Sequence, residues 1–145
     1  MDDLLLAPVY QSGVDGAAAR EAAARAARVE RLACAALWRA AGALLRERRE
    51  ARGWSQQGLA RRAGVPLGVV AQYELGEKRR PAPADWRRVT TALGLDLARF
   101  LDRAVARAAG RLAGDGAAEA TAACLALYAL ARHVRQTAGP AGHTD

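Results

Sequence analysis

The sequence has few of the residues that build catalytic or metal centres. It has two histidines, two cysteines, one phenylalanine and a single lysine in 145 residues. Cys34 and Cys124 lie far apart, form no CxxC pair and have no histidine at ligand spacing, so no zinc site is expected. They read instead as small thiols of a reducing cytoplasm. His133 has no acid or nucleophile near it in sequence and His143 sits in the C-terminal tail. No phosphate loop or carboxylate cluster is present, so the expectation is a non-enzyme with no catalytic residue and no cofactor. No run of about eighteen uncharged apolar residues occurs, which excludes a membrane-spanning helix. The opening Met1-Asp2-Asp3 carries acids where a signal peptide needs positive charge, and a cytoplasmic protein is expected.

Strand signals are also missing, because no segment of four to eight residues alternates β-branched or aromatic residues with polar ones. What fills the chain is alanine and arginine. Alanine is the best helix former, so the expected class is all-α. The net charge is +7, unevenly spread. Residues 1–40 are neutral, while residues 41–102 hold twelve basic and seven acidic residues. A basic middle points to a polyanion partner, most often nucleic acid.

Residues 1–16 contain Pro8, Gly13 and Gly16, show no sustained period and read as a mobile arm. From Ala17 the chain turns helical, with Leu32, Ala36, Leu37, Ala41, Leu44 and Leu45 on one apolar stripe and Gly53 as its stop. Gly42 interrupts this stripe as a bend, a close helix contact or neither. Ser55 is the expected N-cap of a short helix ended by Gly64, and a second short helix over about 67–74 ends at Gly76. Further helices are expected around Trp86, Val89 and Leu93, around Phe100, Leu101, Val105 and Leu112, and around Leu127, Leu130, Ala131 and Val134.

The stretch "LLRERREARGWSQQGLARRAGVPLGVVAQYELGEKRRPAPADWRRVTTALGLDLARFL", about two fifths of the chain, resembles the Cro/repressor-like (XRE-like) helix-turn-helix family. Arg49, the Gly53-Trp54-Ser55-Gln56 turn, Leu59-Ala60, Gly64-Val65, Tyr73-Glu74-x-Gly76 and Ala92-Leu93-Gly94 carry the resemblance together. It implies a five-helix repressor-like domain over 43–102, with helical extensions over 17–42 and 103–137 and a tail over 138–145. It also implies a structural ion pair between Arg49 and Glu74, and duplex DNA as partner.

Carried over position by position, the resemblance puts Ser55, Gln56, Lys78, Arg79 and Arg80 on phosphates. It puts Pro66, Leu67, Gly68, Val69 and Gln72 towards base edges. Only Gln72 among these offers bidentate hydrogen bonding. Leu67 and Val69 suit thymine methyl groups, or else an apolar pocket on a protein such as a toxin, a transcription factor or polymerase. Pro66 stands where a hydroxyl cap is usual, and Gly58 replaces the glutamate that would complete a capping box with Ser55. Because one short helix reads few base pairs, a homodimer is expected, with Leu127, Leu130 and Val134 as its seam.

Overall fold

The computed structural model describes residues 2–77, 82–114 and 120–138, with side chains described from residue 16 onward except those of 113–114, 120–122 and 124–125. Among the described residues there are six helices and no strand: α1 Asp2–Ala51, α2 Gln56–Ala63, α3 Leu67–Leu75, α4 Pro83–Ala92, α5 Leu97–Gly114 and α6 Ala120–Thr137. The expected all-α class is the observed one.

In place of the arm expected over 1–16, the backbone is helical from Asp2. Asp2 and Asp3 suit the positive end of a helix dipole, and Leu4–Ala7 are good helix formers. Gly13 and Gly16 each cost about 1 kcal/mol relative to alanine, which weakens a helix without ending it. The junctions expected at 42/43 and 102/103 fall inside α1 and α5, so no break in the chain marks either one. The N-terminal extension and the first helix of the repressor-like domain are one helix.

The core gathers where α1, α5 and α6 pack together and where α3 and α4 close against them. From α1 it takes Ala33, Leu37, Trp38, Ala40, Ala41, Leu44 and Leu45, all buried. Leu32, placed on the same stripe by spacing, is instead 43 % exposed. An aromatic column runs through the core. The Trp86 ring stacks on Tyr73 at 4.6 Å and on Trp38 at 5.7 Å, and Phe100 tilts against it at 5.6 Å. The indole N–H groups of Trp38 and Trp86 are buried without a hydrogen-bond partner, so packing area and ring contacts carry this column.

Leu127 and Val134, expected on a partner-facing seam, are 0 % and 4 % exposed and belong to this core. Leu130 is half-buried against it. Their spacing is that of any buried helix face, and α1 and α5 of the same chain cover it. The tail beyond Ala138 lies outside the described residues, as does the His143 within it.

Two glycines set how closely α3 approaches α1. A side chain at Gly42 would strike the carbonyl oxygen of Tyr73 and come within 2.8 Å of that of Glu74. Gly42 therefore marks a close helix contact. Gly76, which caps α3 at φ +70°, would bring a side chain to 2.7 Å from the Arg39 backbone. On the outer side, Arg107 of α5 forms a bidentate pair with Glu47 of α1, with Nη1 to Oε2 at 2.5 Å. Hydrogen bonding to Arg107 lowers the Glu47 carboxyl below its ordinary range.

Candidate nucleic-acid interface

The α2–turn–α3 unit begins at Ser55, whose extended backbone and side-chain oxygen cap α2. Its Oγ accepts from the Gly58 N–H at 2.9 Å. With glycine at 58 the reciprocal bond of a capping box is absent, so this cap is one-sided. Gly64 ends α2 at φ +70°, and the Val65 N–H reaches back to the Ala60 carbonyl at 3.0 Å. That left-handed closure fixes the turn. Leu59, Ala60, Val65 and Val70 are buried at the angle between the two helices.

α3 starts at Leu67 with Pro66 as its cap. Pro66 offers no side-chain bond, and its carbonyl accepts from the Val69 N–H at 3.0 Å. The inner face of α3 is Val70 and Tyr73. The outer face is Leu67, Gly68, Gln72 and Leu75, all exposed, with Leu67 at 47 % and Leu75 at 64 %. Val69, also expected towards a base edge, differs from these in burial. It is half-buried and packs on the core, because it sits beside Val70 on the flank of the helix. Leu75 is the exposed residue that sequence reasoning missed. Its spacing of eight from Leu67, through half-buried Ala71, was the available signal.

One network holds α3 in place. Arg49 Nε donates to Glu74 Oε2 at 2.6 Å, and Nη2 donates to Oε1 at 2.9 Å. Arg49 Nη1 donates to the Trp54 carbonyl at 2.7 Å. The two side chains are 11 % and 3 % exposed, so this is a buried bidentate pair, and the hydrogen bonds to Glu74 raise the Arg49 pKa. Gln56 joins it, with Nε2 donating to Glu74 Oε1 at 3.1 Å. The glutamine at the start of α2 thus ties α2 to α3, with its second N–H and its carbonyl oxygen left for other contacts.

Trp54, half-buried at the turn before α2, lies between two arginines. Arg62 stands 4.2 Å from the ring centre and Arg52 stands 5.3 Å from it. Arg52 also donates to the Leu93 carbonyl at 2.6 Å. These two arginines therefore have structural partners, whereas Arg61 lies exposed at the end of α2. Lys78, Arg79 and Arg80 lie outside the described residues. In the sequence they follow α3 directly.

Among the described residues no group of three or more histidine, cysteine or acidic side chains is placed to hold a metal. No described helix is long and apolar enough to cross a membrane. The site thus consists of a capped helix start, a fixed turn and a helix with one face locked and the other open. Comparison with curated proteins and with solved structures returns no match. Residues 40–101 match the family described as helix-turn-helix domain. That span covers the last turns of α1, all of α2 to α4 and the start of α5, and takes in Arg49, Glu74 and Gly42. Residues 40–101 of this chain thus match a helix-turn-helix domain, which is consistent with the Cro/repressor-like resemblance of the sequence.

Proposed function

We propose that this chain is a sequence-selective, dimeric transcriptional regulator that lays α3 in the major groove of duplex DNA. The observation that carries the reading is the division of α3 itself. Its inner face is locked by Tyr73 and by the Arg49–Glu74 pair, while Gln72 and the small Gly68 stand exposed on the outer face. Gln72 supplies the one bidentate group, suited to an adenine edge. Leu67 reaches thymine methyl groups. Val69, half-buried, contributes at most its exposed edge. Ser55, Gln56 and the Lys78–Arg80 run supply phosphate contacts that set the register. With so few donors on α3, phosphate contacts, half-site spacing and DNA shape take a large share of selectivity. The reading is of a cytoplasmic, non-enzymatic protein without a cofactor.

The test is binding to genomic fragments across salt concentrations. Each phosphate contact contributes about −0.9 to the slope of log affinity against log salt. Replacing Arg79 and Arg80 by alanine flattens that slope on every sequence, and Gln72→Ala relaxes preference at one base position by roughly 1–3 kcal/mol. An unchanged slope removes the basic run from the interface. Unchanged preference removes Gln72 from readout.

A second reading rests on the exposure of Leu67 and Leu75 at opposite ends of α3. They suit a protein partner, such as a toxin, a transcription factor or a polymerase subunit, with an apolar pocket. In that case a nuclease-resistant complex is lost in Leu67→Asp and survives Arg79→Ala. DNA reading gives the reverse order.

A further inference from the structure

A second basic feature lies away from α3. Where the end of α1 meets the start of α5, a cavity of about 290 Å³ is lined by Arg48, Arg99 and Arg103, with the buried Leu44 and Phe100 in its wall. Arg48 comes from the last turn of α1. Arg99 and Arg103 lie four residues apart on α5 and so share one of its faces.

Several arginines of this chain pair with acids. Arg46 holds Glu50, Arg88 holds Asp85 and Arg107 holds Glu47. Arg48, Arg99 and Arg103 make no ion pair or side-chain hydrogen bond among the described residues. The acids beside them in the chain do not answer them. Glu47, next to Arg48, takes both bonds of Arg107. Asp102, next to Arg103, does not line the cavity. Asp96 does line it, and its Oδ2 accepts the Arg99 backbone N–H at 3.1 Å. The lining thus sets three positive side chains against one negative.

Like charges gathered on one concave wall repel one another, and an anion placed among them replaces that repulsion with attraction. Guanidinium groups match phosphate oxygens bidentately. The cavity stands at the small end of ligand pockets, which span about 300–1,000 Å³. That size suits a phosphate or diphosphate group better than a large apolar molecule.

We infer that this cavity binds a free phosphate-bearing anion, with Arg48, Arg99 and Arg103 on its oxygens. Its position separates it from the backbone of a bound duplex. Gly42 marks the side of α1 that faces α3. At about 100° per residue, Leu44 and Arg48 lie about 160° and 120° round the helix from Gly42. The arginines therefore stand on a side of α1 turned from α3, where a duplex along the outer face of α3 does not reach. The site goes beyond the DNA reading and does not require it.

The test is calorimetric titration of the full chain with inorganic pyrophosphate at fixed ionic strength. Wild type takes up one equivalent. Arg48→Gln combined with Arg99→Gln binds it at least about tenfold more weakly. Arg103→Gln alone weakens it in the same direction, so the test does not hang on the folding of one variant. A charge-matched control, Arg31→Gln combined with Arg132→Gln, changes two exposed arginines elsewhere and keeps wild-type affinity. No uptake by wild type, or equal weakening in the control, overturns the site. Duplex DNA titrated in parallel distinguishes the source of the phosphate. Lost pyrophosphate binding beside unchanged duplex binding supports a free anion. If both fall together in the Arg48/Arg99 variant, the cluster is a backbone contact and the free-anion assignment fails. If wild type binds pyrophosphate and no duplex, the DNA reading fails and the anion site stands.

Discussion

Gly42 of α1 lies directly beneath the Tyr73 carbonyl of α3, with no room for even a methyl group between the two backbones. Gly42→Ala must therefore push α3 outward, since backbone cannot yield as a flexible side chain does. The expected cost is about 1–3 kcal/mol of stability, typical of overpacking. Because α3 is the element that moves, DNA affinity should fall by more than the unfolded fraction explains. Urea denaturation beside a binding titration, both at 25 °C, checks this. Unchanged stability would mean that α3 is not seated as described.

Arg49→Ala leaves Glu74 buried with only Gln56 as a side-chain partner. The expected loss is about 3–5 kcal/mol, the usual penalty for stranding one member of a buried pair. Replacing both residues with apolar ones of similar size, Arg49→Met with Glu74→Leu, should recover much of it. A double-mutant cycle by chemical denaturation measures the coupling. Purely additive losses would show that the pair contributes nothing as a pair.

Tyr73 predicts a loss of stability in alkali. Burial, reinforced by the nearby Asp85, pushes its hydroxyl up to about 12 from 10.0, against a smaller lowering by the Ala82 backbone. The folded state holds this proton more tightly than the unfolded state does. The stabilisation is therefore complete below pH 10 and is lost as pH rises towards 12, by roughly 2–3 kcal/mol at about 1.36 kcal/mol per pH unit. Denaturation midpoints measured from pH 9 to 12 should fall more steeply in wild type than in Tyr73→Phe. Parallel curves would place the titrating group elsewhere.

Gly68 has open space where a side chain would stand and is the second residue of α3. Gly68→Ala should raise thermal stability by roughly 0.5–1 kcal/mol through helix propensity. If the α3 backbone approaches DNA at this point, the same methyl group weakens DNA binding. Stability and affinity then move in opposite directions. An increase in both would show that Gly68 lies off the interface.

The helix-turn-helix unit was legible because its signals are local. A hydroxyl cap and the glycine stops at 64 and 76 can be read along the chain, and the Arg49–Glu74 pair followed from the family resemblance. The role of Gly42 was not, since a glycine within a helix looks alike whether it faces solvent or another backbone. Leu127, Leu130 and Val134 show a related ambiguity. Helical spacing marks an apolar face without saying whether the cover comes from the same chain, and here α1 and α5 provide it. The half-burial of Val69 was not legible, because neighbouring positions on a short helix differ by about 100°, enough to turn a side chain from an outer face to a flank. The helical start of α1 was hidden by Pro8, Gly13 and Gly16, which punctuate loops more often than helices.

The continuity of α1 has a mechanical consequence. Fifty residues of helix span about 75 Å. One end of this rod carries Arg49, and Gly42 seats α3 on it. Its middle carries an alanine-rich stretch over residues 17–24 and, over 25–34, residues that line an open groove against α6. From that stretch to the seat of α3 at Gly42, α1 is one continuous hydrogen-bonded helix. In a dimer paired through this stretch, the crossing of two α1 helices would set the spacing and angle of the two α3 helices without any change in α3 itself.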